Sequence, residues 1–379
     1  MPKLSYWERK SFFSNIDVLI IGSGIVGLST AIHLKESNPN LHIVIIERGV
    51  LPIGASTRNA GFACFGSMTE LIDDLSRQSE SEVFETIEKR WKGLQALRAK
   101  LSDQQLDYKA WGGFEVFTND DQETYAECLE RMEEFNQKLK PIVGTSAIYK
   151  KKDNSIKTFG FDKTQHLIVN AEEGQIDTGK MMNGLLELAY QVGVKIYNGI
   201  EVTDWESNKS GVILKTKEEW TIQTTKLVVA TNAFTTKLFP SIKVTPARNQ
   251  VMITKPIRNL KMKGCFHYDK GYIYFRNIHE RVLLGGARNV DIKNEQTDEF
   301  GNNKQIEAVL INLLKEVILP NQPFEIDQRW SGILGIGESK HPIIKKAGEH
   351  IYVAVRLGGM GIAIGYGVGA DTAKLVLSN

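Results

Sequence analysis

Apolar and polar positions alternate along the chain in blocks that read as helices and strands in a definite order. Asp17-Val18-Leu19-Ile20-Ile21 is a short apolar run rich in β-branched residues, the composition of a strand buried on both faces. It stops at Gly22-Ser23-Gly24-Ile25-Val26-Gly27, and Leu28 to Lys35 then shows apolar residues at helical spacing, ended by Asn38-Pro39-Asn40. Leu41 to Ile46 is a second apolar strand closing on Glu47. Residues 1–16 before this unit read as a short leader, with Tyr6, Trp7, Phe12 and Phe13 available to pack outside it.

Gly54 to Phe62 is too poor in large apolar groups for a strand or a core helix and reads as a small-residue loop. Thr69 to Leu101 carries a helical pattern in two pieces, Gly113 to Thr118 alternates as a strand, and Asp120 to Leu139 is a charged helix. The stretch 145–170 reads as irregular strands. Past Gly174 come a helix from Thr178 to Ala189, strands at Val194–Tyr197 and Glu201–Trp205, a meander at Val212–Leu214 and Trp220–Ile222, and a buried strand at Lys226–Ala230. Strand signals return at Gln250–Thr254, Gly271–Phe275 and Arg281–Leu284, with a helix around Ile306–Val317. His350 to Asn379 reads as a strand, a glycine-rich turn and a long apolar helix.

The first unit carries chemistry as well as pattern. Strand, G-x-G-x-x-G turn, helix, strand and terminal acid form a βαβ dinucleotide fingerprint. Gly22 permits the tight turn, Gly24 lets the backbone approach a pyrophosphate, and Gly27 lets the helix lie on the sheet. The positive end of the helix faces phosphate, and Glu47, 20 residues past Gly27, accepts from a ribose. At 379 residues the chain exceeds one ordinary core, and the two segment types interleave. The expected organisation is a cofactor domain from 1–88, 171–244 and 331–379, and a substrate domain from 89–170 and 245–330.

Composition removes several alternatives. A net charge of +2 gives no reason to expect nucleic acid or an anionic membrane as partner. The first ten residues lack a signal peptide's apolar core, and no stretch approaches the length of a membrane span. Three scattered cysteines, Cys64, Cys128 and Cys265, fit a reducing compartment, so the expected location is cytoplasmic. His33, His42, His166, His267, His279, His341 and His350 show no ligand spacing, so no metal site is expected and each histidine reads as structural or exposed.

Four motifs then fall in one order: the fingerprint with Glu47, the Gly54–Phe62 loop, Val228-Val229-Ala230-Thr231-Asn232-Ala233, and Gly358-Gly359-Met360-Gly361 before the last helix. Together they resemble the D-amino-acid oxidase superfamily of FAD enzymes, which includes glycine oxidase, sarcosine oxidase and γ-glutamylputrescine oxidase-like proteins. The resemblance implies an α/β fold, a Rossmann-like FAD-binding domain of glutathione-reductase type with an interleaved antiparallel-sheet substrate domain. It implies FAD as cofactor, and oxidation of an amine or amino acid to an imine by hydride removal. The alternative is a flavin enzyme acting on a 2-hydroxy acid or glycerol phosphate, and a non-catalytic flavoprotein is a further one.

Cofactor contacts are expected at Gly22, Gly24, Ile25, Val26, Gly27, Glu47 and Arg48; at Ala55, Ser56, Thr57, Asn59, Ala60, Gly61 and Phe62; and at Val202, Thr231, Asn232 and Ala233. Gly332, Gly359, Met360, Gly361 and Ile362 complete the set, the last helix turning its free amides toward charge that develops on the flavin ring. The glycines at 358, 359, 361, 365, 367 and 369 are read as marks of close approach to that ligand or to another backbone.

Substrate contacts are open at this level. Tyr272, Tyr274 and Arg276 alternate on one strand and share a face, either lining the pocket or serving as ordinary strand positions. Arg248 with Gln250 is a similar pair, and Arg58 is either a ligand contact or a plain loop arginine. Against the resemblance, Leu334 stands where glycine-oxidase-like members carry a carboxylate-binding arginine. The stretch Val282-Leu283-Leu284-Gly285 offers only leucine where sarcosine-oxidase-like members carry a lysine, and no cysteine lies near 331 to attach FAD covalently. Noncovalent FAD is therefore expected, with a small amine or amino acid as substrate and O2 or another acceptor reoxidising the flavin.

Overall fold

The computed structural model describes residues 3–378, so the first two residues of the expected leader and the final Asn379 lie outside it. An eight-stranded sheet centres on Ile16–Ile21, flanked in parallel by Ile43–Glu47 and Thr221–Val229. Lys195–Asn198 and Ile351–Val355 extend it in parallel on the two sides, and Ile343–Gly348 closes one edge antiparallel. Val202–Asn208 and Gly211–Thr216 leave the sheet as an antiparallel ribbon. The two separate strands expected at 220–222 and 226–230 are in fact one strand, Thr221–Val229. Its first half alternates, with Ile222 and Thr224 buried against the ribbon, while Leu227, Val228 and Val229 are buried together in the parallel sheet.

Helix Ile25–Ser37 is buried along nearly its whole length because Gly361–Leu377 and Thr178–Gln191 pack over it. The C-terminal glycines divide by role. A Cβ at Gly369 would fall 2.4 Å from Ser29 Cβ and one at Gly365 2.7 Å from Ile25 Cγ2, so these two let helices touch. Gly358, Gly359 and Gly361 instead line a cavity. Both alternatives thus occur: approach to a cavity at the first three, and approach to a neighbouring helix at Gly365 and Gly369, where a Cβ at the latter would also fall 2.8 Å from Thr30 N.

A second eight-stranded sheet runs Ile326–Ile336, Thr245–Thr254, Arg281–Gly286, Ile273–Ile278, Cys265–Tyr268, Gly113–Thr118, Thr164–Asn170, Tyr149–Lys151. Every pairing is antiparallel except Cys265–Tyr268 with Gly113–Thr118. One face is a stacked aromatic core, with Phe266 4.9 Å from Phe275 and 5.1 Å from Phe114. Lys304–Leu313 and the π-turn Leu314–Ile318 join that core.

Two expected boundaries fall inside elements. Helix Glu80–Leu106 runs through 88/89, and its Leu94, Leu97 and Leu101 share a core with Val18 and Ile20 of the first sheet. Strand Ile326–Ile336 runs through 330/331 and pairs with Thr245–Thr254 along its length. Long-range packing set both, and local composition carried no trace of it. Gly54–Phe62 also differs from a plain loop: Ala55–Arg58 forms one helical turn, and Phe62–Ala63 pairs with Gly174–Gln175. Among the described residues no helix is long and apolar enough to cross a membrane.

Candidate active site

A cavity of about 500 Å³ runs from the C-terminal edge of the first sheet to the exposed face of the second. At one end its wall is mostly main chain. Gly22 and Gly24 line it, and helix Ile25–Ser37 begins there. Gly22 has φ +103, and a Cβ there would sit 2.9 Å from Ala230 O. A Cβ at Gly24 would meet Ser56 Oγ at 2.8 Å, and one at Gly27 would fall 1.9 Å from Gly22 O. Gly27 therefore holds helix against turn and does not line the cavity.

Ser56 Oγ accepts the Ile25 amide at 3.0 Å, which leaves the first-turn amides of Val26 and Gly27 without an intrahelical acceptor. Glu47 is buried at the same end and accepts from the Ser23 amide at 3.2 Å and the Gly49 amide at 3.0 Å, with further lone pairs on both oxygens. Arg48 stacks on Phe234 with 3.8 Å to the ring centroid, and Val202 closes the far side.

Ala55, Ser56, Asn59, Ala60 and Phe62 also line the cavity, as do Ile25, Val26, Thr231, Asn232, Gly332, Gly359, Met360, Gly361 and Ile362. Besides Gly27, three expected contacts do not. Thr57 donates to Pro52 O at 2.5 Å, Gly61 is turned toward Arg276, and Ala233 is buried behind its neighbours. A Cβ-free turn, open helix amides, a buried acid and apolar side chains in one elongated cleft fit the parts of FAD: pyrophosphate, ribose and ring.

The other end is built of side chains. Phe62 meets Tyr274 at 5.5 Å and His267 at 5.3 Å, both edge-on, and Tyr272 stands beside them. Leu334 supplies an apolar wall near Gly359. Burial pushes the Tyr274 phenol well above its ordinary range, so it stays a neutral donor.

Helix Met68–Leu75 brings Glu70, Asp73 and Asp74 to the cavity. Its N-terminus is seated on the buried Glu115, which accepts the Met68 amide at 3.1 Å, the Thr69 amide at 3.2 Å and a short bond from the Thr69 hydroxyl. Lys340 bridges Glu70 and Asp74 at 2.8 Å each, and Arg90 reaches Glu70 at 3.3 Å. Burial works against ionising Glu70, but Lys340 and Arg90 outweigh it and hold the carboxyl at about 2.

Two expected substrate arginines are committed elsewhere. Arg276 is 5% exposed and donates to Ala60 O at 3.1 Å, Gly61 O at 2.7 Å and Ile176 O at 2.8 Å. It shares a strand with Tyr274, yet it ties the 60–61 segment to the second sheet and does not line the cavity. Arg248 forms a two-point pair with Glu295 at 2.8 and 2.9 Å, also away from the cavity. Arg58 lines the cavity, but its guanidinium donates to Ile53 O and Ser331 O.

Sequence reasoning missed Glu70, Lys340, His267 and Arg288, which all line the cavity. The helical pattern around Leu71 and Leu75 could have turned Glu70 and Asp74 together onto the opposite face. Nothing local could pair them with a lysine 270 residues away.

The family described as FAD dependent oxidoreductase (DAO) matches residues 17–375. Gamma-glutamylputrescine oxidoreductase of Escherichia coli (strain K12) is 25% identical over 381 residues, covering 95% of this chain and 83% of that protein. Among solved structures, glycine oxidase from Geobacillus kaustophilus superimposes with a TM-score of 0.76 at 19% identity, covering 96% of this chain and 95% of the other. L-proline dehydrogenase from P. horikoshii gives 0.73 at 18% identity, covering 100% and 94%.

Proposed function

The chain belongs to the DAO family of FAD-dependent oxidoreductases, and on that premise we propose that it oxidises a small amine or amino acid to an imine, with FAD held noncovalently. When bound, FAD accepts the hydride from the carbon bearing the amine. The observation that carries the reading is the chamber at the side-chain end, with Phe62, Tyr272 and Tyr274 on one side and Glu70 and Asp74 on the other. Aromatic faces and carboxylates together suit a nitrogen cation with an apolar stem. The relative is named for γ-glutamylputrescine and the solved structure for glycine, an amine and an amino acid.

The chain's own part is to bind and orient. Glycine turns and helix amides hold the cofactor's phosphates, Glu47 holds a ribose, and the aromatic wall fixes the substrate carbon. With Leu334 apolar and Arg276 and Arg248 committed elsewhere, Arg288, which lines the cavity with its guanidinium 5.5 Å over the Tyr272 ring, is the candidate cation for a substrate carboxylate, ahead of Lys270 and Arg77, which also line it. The first sheet with its helices serves the cofactor, and the second sheet with helix Met68–Leu75 serves the substrate. The absence of cysteine beyond 265 favours noncovalent attachment.

The test is an anaerobic absorbance spectrum of the purified protein titrated with amines, amino acids and 2-hydroxy acids. Flavin bands that bleach with an amine support the reading, and readmitting air identifies O2 as acceptor if the bands return. Bleaching by hydroxy acids alone would sink the amine assignment.

A further inference from the structure

Strand Cys265–Tyr268 alternates, so Phe266 enters the aromatic core while His267 forms part of the cavity wall. His267 Nε2 is buried and has no hydrogen-bond partner. Glu173 stands nearby and is 1% exposed. Its Oε1 accepts the amides of Phe65 at 2.8 Å and Gly66 at 2.9 Å, while its Oε2 is buried and unpartnered. A nitrogen of His267, a carboxylate oxygen of Glu173 and the Cys64 sulfur lie within 4.8 Å of one another. One water making two hydrogen bonds of ordinary length spans roughly 4.6 Å. Each of these two buried polar atoms lacks a partner, and a proton shared between them, directly or through a water, satisfies both.

We propose that Glu173 and His267 form a proton relay that takes the proton of the substrate's ammonium group, so that the amine is uncharged when its hydride leaves. The inference rests on the amine reading above. The ammonium gives its proton to the cavity-side nitrogen of His267, and the proton on Nε2 passes to the Glu173 carboxylate. An ammonium and a carboxylate become a neutral amine and a carboxyl, the imidazole changes tautomer, and no electrons move.

The surrounding charges agree with these roles. Burial holds His267 neutral, lowering it to about 4 although Glu70 pulls the other way. Burial lifts Glu173 to about 7 against the pull of the Phe65 and Gly66 amides and the Cys64 thiol, with Glu70 adding to the rise. Cys64 is itself pushed well up by burial, with Cys265 and Glu173 beside it, and stays a neutral thiol. Within this trio Glu173 is therefore the group that changes charge near neutrality: its carboxylate accepts above about 7 and is already loaded below it, as Glu115 is separately at the start of helix Met68–Leu75.

Two readouts test the relay in the FAD-loaded protein. Without substrate, infrared titration should show protonated-carboxyl absorption that fades as pH rises through about 7, and the wild-type minus Glu173→Gln difference should isolate the Glu173 component from that of Glu115. With an amine, the anaerobic rate of flavin bleaching should rise about tenfold per pH unit up to that region. Glu173→Gln should lose this limb and fall about a hundredfold above it. Should that variant not fold, judged by bound FAD per chain, His267→Asn breaks the relay from the cavity side and leaves the amides around Glu173 in place. No carboxyl component lost from this range in Glu173→Gln, or a wild-type limb in either variant, would overturn the inference. So would stoichiometric zinc in the purified protein, since the three atoms would then be metal ligands. A wild-type protein that no amine bleaches removes the amine reading and the relay together, whereas failure in the variants alone removes only the relay.

Discussion

At the Gly22–Gly27 end the cavity wall is main chain, shaped by glycines within one short segment, with Glu47 closing it. At the Tyr274 end it is side chains drawn from helix Met68–Leu75, four strands of the second sheet and the segment around Lys340. On the proposed reading, the first end would recognise a group whose phosphates look alike in every FAD enzyme, so backbone amides would suffice. The second must select one molecule, and side chains on separate elements can change without disturbing the fold that carries them. The contrast teaches that one cavity can suit a constant group at one end and a particular molecule at the other, because its ends are made of different parts of the polypeptide.

The sharpest way to break this contrast is Gly24→Val. The added Cβ would lie 2.8 Å from Ser56 Oγ, and its methyl groups would enter the space of the pyrophosphate. Loss of FAD affinity by about a thousandfold, near 4 kcal/mol, is expected. The ratio of flavin to protein absorbance after purification reads it, and full retention of flavin would refute the backbone account.

Arg276→Met comes next, and it tests whether an arginine beside the substrate wall belongs to that wall. Three carbonyls would lose their donor, for a destabilisation of about 3 kcal/mol. The melting temperature should fall while KM of the surviving enzyme stays near wild type. An unchanged melting temperature with a raised KM would move Arg276 to the substrate end.

Lys340→Met addresses the acidic cluster. Glu70 is held at about 2 against an ordinary 4.5, so its contribution to stability is complete above 4.5 and is lost as pH falls toward 2. With Lys340 gone and Arg90 remaining, acid unfolding should begin at higher pH, and stability at neutrality should drop by about 2 kcal/mol. An unfolding curve against pH that matches wild type would show the cluster to be idle.

Arg288→Met is the smallest and most selective change. KM for amines bearing a carboxylate should rise about tenfold, near 1.4 kcal/mol, while amines without one are unaffected. An equal loss for both classes would place Arg288 outside substrate recognition.

Legibility followed the same division. The fingerprint, the second strand and the closing helix could be read because each has its chemistry inside a short window. The substrate face was only half legible: alternation put Tyr274 and Arg276 on one strand, but only packing shows that Tyr274 meets Phe62 while Arg276 turns to the carbonyls of 60 and 61. His267 was set aside as structural or exposed, and it proves to be cavity wall because Glu173 and Phe62 come from other parts of the chain.

The sequence by itself determined the βαβ unit, the glycine-built cofactor end and the FAD-dependent family, since strand burial, turn conformation and helix-end charge are properties of consecutive residues. Tertiary structure alone decided which glycines serve helix contact, which arginines are locked on carbonyls, and which acid faces which lysine. Those are matters of distance between residues up to 270 positions apart, and a chain's order does not encode distance until it has folded.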